Sequence, residues 1–334
     1  MTSSFTWRDA GRNVLFRPGA QDAAPGLLAE HGFDEFGLLS TPRALEAAPA
    51  LASAASAVHE VPAGAVPDAA AGLLGGADSE RLVALGGGRV IDTAKAIAAV
   101  TGGKVAAIPT TLSGAEMTGI HRLPAGSESR ARGLVRPELV LADPAAMTGQ
   151  PEDQLRASAM NALAHGADSL YTPFANPVSE MAALRGAALI AGALDRSRAE
   201  RDRAALALGA VLCGYAIDSA LFAIHHVICQ TVVRTLGVAH AETNAAVLPH
   251  AMAAMRNRAP DRIAALAKAI GTGPEAIADR ILELGGDPAG LGDLGADRDR
   301  LDEALDVIQA RPELQFTPEP PGRAELRGII EAAW

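Results

Sequence analysis

Arg81-Leu82-Val83-Ala84-Leu85-Gly86-Gly87-Gly88, running on into Arg89-Val90-Ile91-Asp92-Thr93-Ala94-Lys95, is the stretch whose reading decides the fold. Arg81–Leu85 is an apolar run of strand length, bounded by glycines. From about Val90 to Ala99 the apolar residues then recur at helical spacing. A strand that turns on glycines straight into a helix is the joint of a βα unit. Repeated, such units build a largely parallel sheet with helices on both faces. The pattern recurs outward in both directions. Asn13–Arg17 reads as a strand followed by a helix near Ala23–Glu30, and Phe36–Ser40 as a strand followed by a helix from Arg43. Lys104–Ile108 is a strand ending in Pro109-Thr110-Thr111, and Leu139–Ala142 is the last.

Beyond about residue 146 the periodicity changes. From Pro151 to Arg256 apolar residues fall at helical spacing with hardly any strand signal, and Pro151 with Glu152 and Asp153 suits a first helical turn. Breaks follow at Gly237, Pro260, Gly271-Thr272-Gly273 and the Gly/Asp-rich stretch Gly285–Gly295, and Arg323–Ala333 closes the chain as a helix. The expected organisation is an α/β nucleotide-binding domain over 1–146 and an all-helical domain over 147–334.

Composition narrows the function. Of 334 residues, 49% are hydrophobic but only 3% aromatic, so the cores must be built from Ala, Leu, Val and Ile. A formal net charge of −10 argues against a broad electrostatic grip on nucleic acid, while leaving room for a local basic pocket that takes an anion. The two cysteines, Cys213 and Cys229, lie in apolar helical contexts and read as core thiols in a reducing compartment. Met1–Gly11 is polar, without an apolar leader segment. The apolar run around Ala204 to Ala223 is interrupted by Gly214 and Asp218, so no membrane span is expected and a cytoplasmic location is.

Two groups of residues carry chemistry. Gly86, Gly87 and Gly88 at a strand-to-helix turn let backbone amides approach a pyrophosphate at a helix N-terminus, and Thr110, Thr111 and Ser113 offer hydroxyls at the next strand end. No Gly-x-Gly-x-x-Gly follows the first strand, so this is not the standard dinucleotide turn. In the helical half, Asn161 and His165 stand four apart on one helix face, His226 follows His225 in an apolar helix, and His240 comes fourteen residues later. A lone histidine in apolar helix is as often a satisfied core residue. Three from separate segments can converge on a metal or a polar active site.

Gly86 to Lys95, read as Gly-Gly-Gly-x-x-x-Asp-x-x-Lys, resembles the nucleotide loop of the iron-containing alcohol dehydrogenases. Pro109-Thr110-Thr111 with Glu116-Met117-Thr118 resembles that family's second loop. Thr111–Glu116 and Asn13-Val14-Leu15-Phe16 are similar to the maleylacetate reductase branch, whereas Asp92 is the version found in the alcohol dehydrogenases. Ala159–His165 is similar to the family's first metal-ligand helix, and His226 and His240 match the other two histidine ligands. The resemblance covers almost the whole chain and implies the dehydroquinate synthase-like fold of this superfamily: an α/β N-terminal domain with a mostly parallel sheet, then an all-α C-terminal domain. It also implies NADH or NADPH held by Gly86, Gly87, Gly88, Asp92, Lys95, Thr110, Thr111, Ser113 and Thr118. The catalytic set it implies is His165, His226, His240, Gln230 and Asn161, with the three histidines as ligands if Zn or Fe is bound. The second strand ends in Ser40-Thr41-Pro42-Arg43 without a carboxylate to repel a 2′-phosphate, so Thr41 and Arg43 are expected to let NADPH bind alongside NADH.

The departures matter as well. Asn161 stands where the alcohol dehydrogenases have Asp, which removes a negative charge from a dication site. Gln230 replaces a histidine tied to proton transfer and cannot titrate, and Asn244 stands where the reductases usually have another histidine. The resemblance implies an NAD(P)H-dependent reductase of an anionic unsaturated keto acid, with room for a diverged substrate, and a homodimer. Two alternatives stand beside it: a metal-dependent alcohol or aldehyde dehydrogenase, and a non-redox or non-catalytic protein on the same scaffold.

Overall fold

In the computed structural model residues 5–9, 11–77 and 79–334 are described, the first five as backbone alone. The chain forms two compact units, Met1–Gly149 and Gln150–Trp334.

The first unit is a seven-stranded sheet. Its strands are β1 (Phe5–Asp9), β2 (Arg12–Phe16), β3 (Gly37–Ser40), β4 (Ala57–Glu60), β5 (Arg81–Gly86), β6 (Lys104–Pro109) and β7 (Leu139–Ala142), in the order β1-β2-β7-β6-β5-β3-β4. Every pairing is parallel except the antiparallel hairpin of β1 with β2 at one edge. Strand periodicity sorts side chains to two cores. Val83 and Leu85 of β5 join Leu38, Ile108 and Leu141 on one face, and Leu82 and Ala84 join Leu39, Val105 and Ala107 on the other. A sheet covered on both faces needs strands that are apolar throughout, which is why β5, β6 and β7 are legible as continuous apolar runs. β4 is an edge strand exposed along most of its length and so carries no apolar signal, and it is absent from the sequence reading.

The β5–β6 register places Gly86 beside Pro109, so the two candidate nucleotide loops start side by side, joined by the Thr110 amide donating to the Gly86 carbonyl at 3.0 Å. Helix α1 (Gly88–Thr101) leaves the glycine turn and stops at Gly102, whose φ of 82° is the left-handed conformation that ends helices.

The second unit is helical. Its central elements are α2 (Glu152–Ser169), α3 (Pro177–Leu194), α4 (Arg203–Ala220), α5 (Ile224–Leu236) and α6 (His240–Met255). Small residues let α2, α3 and α4 approach closely. A Cβ on Gly186 would lie 2.8 Å from the Gly209 carbonyl oxygen, and one on Gly166 would lie 2.9 Å from the Cys213 sulfur. Cys213 is therefore a packing residue, and burial pushes its thiol up to about 12. Helices α3 and α4 are long and apolar enough to cross a membrane, yet more than half of each is buried within the structure.

Candidate active site

The nucleotide loop is shaped by contact rather than by unusual dihedrals. Gly87 precedes α1 with φ of −80°, which any residue adopts, but a Cβ there would sit 2.9 Å from Thr111 Cγ2, and one on Gly88 would sit 3.1 Å from Ser113 Cβ. Glycine is required because the second loop lies directly against the first. The start of α1 at Gly88 thus stands next to Thr111 and Ser113, an arrangement suited to an anionic phosphate.

Lys95 lies beneath the two loops. It is fully buried, and its ammonium pairs with Asp92 at 2.7 Å and donates to the carbonyls of Ala115 and Ile120, each at 3.0 Å, and to Thr118 Oγ1 at 3.4 Å. Lys95 and the buried Thr118 therefore tie down the second loop, because an ammonium taken out of water needs every partner it can reach. Asp92 is half-buried and is held by that same ammonium. Thr110 is half-buried beside Gly86. Thr41 precedes the short helix Pro42–Glu46, and Arg43 in its first turn is exposed.

Glu116 is a residue the sequence reading quoted but did not single out. It is fully buried, and neither carboxylate oxygen has a hydrogen-bond partner among the described residues. Burial raises its carboxyl to about 7, against the opposing pull of its own backbone, Lys95 and Arg12.

In the second unit, α2 and α5 bring His165 and His226 together as a stacked pair with ring centroids 5.0 Å apart. Asn161 is buried one turn before His165 on α2. Asp168, one turn after His165, is fully buried and organises the site. Its carboxylate accepts from His226 Nδ1 at 2.8 Å, from the backbone amides of Ala223 at 3.0 Å, His226 at 3.1 Å and His225 at 3.4 Å, and from the Tyr171 hydroxyl. Helix α5 has no side-chain cap of its own, so Asp168 supplies one from another helix. The turn that aims α5 at Asp168 passes through Leu221 at φ 60° and ψ −166°, a nearly glycine-only conformation that costs a leucine about 1–3 kcal/mol. Burial alone would raise the Asp168 carboxyl. Hydrogen bonds and charge from His226 and His225 outweigh it and hold the group well below its ordinary value.

Because a carboxylate only accepts, His226 Nδ1 carries a proton and donates it to Asp168. His226 Nε2 and His165 Nδ1 are both buried, and neither has a hydrogen-bond partner among the described residues. Burial, reinforced by the other histidines, drives His165 well below its ordinary pKa, so it is neutral. His240 opens α6 and is solvent-accessible. Surrounding protein and His226 lower its imidazole to about 4, less far than the enclosed His225, which falls to about 3. His225 turns the other way, with Nε2 3.3 Å from the Asn244 carbonyl oxygen, and is the satisfied core histidine of the adjacent pair. Asn244, fully buried, donates to the His240 carbonyl at 2.7 Å and so braces the first turn of α6. Gln230, one turn after His226 on α5, is half-buried and accepts from Arg311 Nη1 at 2.9 Å.

A carboxylate oxygen of Asp168 and a ring nitrogen from each of His225 and His226 lie within 4.8 Å of one another, but Asp168 is already saturated by donors and orients a ligand rather than being one. The donor set of His165, His226 and His240 suits a divalent ion such as Zn²⁺ or Fe²⁺: three imidazoles, two of them with buried nitrogens that have no hydrogen-bond partner among the described residues.

Residues 12–144 match the family model described as iron-containing alcohol dehydrogenase, and residues 156–334 match the Fe-containing alcohol dehydrogenase family, C-terminal. The chain belongs to the iron-containing alcohol dehydrogenase family, and it is an NAD(P)-dependent oxidoreductase. Within that family it is 31% identical to maleylacetate reductase of Rhizobium sp. strain MTP-10005, over 99% of this chain and 97% of the relative. It is 34% identical to maleylacetate reductase 1 of Rhodococcus opacus, over 80% of this chain and 77% of the relative. The crystal structure of maleylacetate reductase from Agrobacterium tumefaciens superposes with a TM-score of 0.84 at 29% identity, covering 100% of this chain and 99% of that one. A putative alcohol dehydrogenase from Ralstonia eutropha JMP134 gives 0.87 at 30% identity, covering 99% and 97%.

Proposed function

We infer that the protein transfers hydride from NADH or NADPH to the carbon–carbon double bond of an anionic unsaturated keto acid, with maleylacetate to 3-oxoadipate as the reference reaction. The observation that carries this reading is the Asp168-oriented His226, whose buried Nε2 stands unengaged beside the stacked His165. The first unit supports nucleotide binding through the amides of α1 and the hydroxyls of Thr111 and Ser113; Thr110, Asp92, Thr41 and Arg43 complete the proposed nucleotide set. Asn161, His165, His226, His240 and Gln230 complete the substrate set. Hydride adds to the alkene carbon β to the ketone, electron density moves to the ketone oxygen as an enolate, and a proton from solvent completes the α carbon. The oxidised nucleotide leaves. The histidines stabilise the enolate oxygen where charge develops. Asp168 holds the His226 ring through Nδ1, so that Nε2, once protonated, donates to that oxygen. No titrating group stands at Gln230, which fits a proton drawn from water.

The same unengaged nitrogens favour a second reading, in which His165, His226 and His240 hold a divalent metal that polarises a substrate oxygen, as in alcohol or aldehyde oxidation. Asn161 contributes no charge to such a site. A cytoplasmic homodimer is the proposed setting. Protein purified without chelator, assayed for NADPH and NADH consumption with maleylacetate before and after EDTA, tests both. Consumption that survives EDTA, with no stoichiometric metal by mass spectrometry, supports the first reading and ends the second. No consumption with folded, nucleotide-binding protein ends the first.

A further inference from the structure

The residue at 230 is more than a lost histidine. An amide side chain has two chemically opposite ends, and which end faces a ligand depends on what holds the other. Arg311 has donors only, so the Gln230 oxygen must turn to it, and Nη1 makes that bond at 2.9 Å. The guanidinium is itself fixed. Its Nε and Nη2 grip both oxygens of Glu313 at 3.2 and 3.1 Å, and its plane lies 5.8 Å from the centroid of the Phe222 ring. Phe222 is buried with its centroid 5.8 Å from that of His226. Two routes thus lead from Arg311 back to the same histidine: along α5 from Gln230 by one turn, and across Phe222. With its oxygen turned to Arg311, Gln230 keeps two N–H donors for another partner, on a half-buried side chain next to the site. Glu313 offsets the Arg311 charge through the paired bonds, so Arg311 acts as a clamp on the amide.

We propose that Gln230, oriented by Arg311, is a fixed hydrogen-bond donor to a substrate carboxylate oxygen separate from the oxygen that the histidines stabilise, and that it selects dianionic over monoanionic acids. The proposal rests on the unsaturated keto acid reading and names the part of the substrate that this position recognises. Gln230 is the specificity-determining residue, and Arg311 is a positioning residue.

The test compares two six-carbon probes that differ in one group, adipate and hexanoate, titrated calorimetrically into NADPH-loaded protein. Wild type is expected to bind adipate at least about tenfold more tightly, the scale of one hydrogen bond to a charged acceptor. Gln230→Glu keeps an oxygen for Arg311 but offers the ligand an acceptor, and the preference for adipate should fall to near one. Arg311→Met frees the amide to rotate and should reduce the preference about threefold. Because this second variant leaves Gln230 in place, the proposal stays testable if Gln230→Glu fails to fold. Equal affinities in wild type, or a preference unchanged in the variants, would overturn it. Discrimination without maleylacetate turnover would keep the subsite and sink the activity; turnover without discrimination would do the reverse.

Discussion

The two units build their sites in opposite ways. In the α/β unit the nucleotide loop is local: Gly86, Gly87 and Gly88 are consecutive, and the parallel register of β5 with β6 sets Thr111 and Ser113 against them. In the helical unit the site is assembled from residues far apart in sequence. Asp168 on α2 binds the first amides of α5 and the ring of His226, 58 residues on, and Arg311 reaches Gln230 across 81. A backbone site tolerates many side-chain changes but no added Cβ. A convergent side-chain site depends on one central group.

The sharpest way to break the comparison is at that central group. His226→Ala should lower kcat about 10²–10³-fold, the usual cost of one preorganised stabiliser of a developing oxyanion, and cost about 1–3 kcal/mol of stability for the donor that the buried Asp168 loses. Asp168→Asn should lower activity about 10–100-fold and also cost about 3 kcal/mol of stability, because it disrupts a buried, fully bonded carboxylate. Steady-state kinetics with denaturant unfolding separates the two. If both variants lose stability alike and activity only in proportion, the pair is core rather than site.

The complementary cut is Gly87→Ala. The added methyl would meet Thr111 at 2.9 Å and push the loops apart. NADPH affinity should fall about tenfold, with overpacking costing about 1–3 kcal/mol, and adipate binding should be unchanged. Unaltered NADPH affinity by calorimetry would show that the glycine turn is only a packing solution.

An effect on stability alone, with no change in activity expected, sharpens the α/β side. With Glu116 lifted from 4.5 to about 7 by burial, the folded state holds a proton that the unfolded chain releases between those values. Its contribution to stability is therefore full below about pH 4.5 and is lost as pH rises through 7, amounting to about 3 kcal/mol. Glu116→Gln should flatten that decline in urea unfolding measured from pH 4.5 to 8. An unchanged slope would mean that Glu116 stays ionised.

What the sequence made legible follows from this contrast. The glycine turn and the strands β5 to β7 carry their reasons within a few residues. His165, His226 and His240 were visible as polar groups in apolar helices, and the family resemblance placed them together. Asp168 was missed although it lies one turn after His165, because its partners are backbone amides of a helix that begins 55 residues later. Arg311 was missed because nothing near Pro312 marks it as part of a site. Lys95 was assigned to the nucleotide because a lysine in a phosphate loop usually serves one. Its complete burial is a property of packing, which no local pattern shows. Strand β1 lies in a stretch read as merely polar, and pairing with β2 is what orders it.

The most direct measurement is the fate of the hydride. Protein incubated with maleylacetate and NADPH deuterated at the reactive ring carbon, with the product read by mass spectrometry and NMR, should yield 3-oxoadipate carrying one deuterium on the former alkene carbon β to the ketone. Product with deuterium elsewhere, or NADPH left intact by folded enzyme that binds both ligands, would contradict the account.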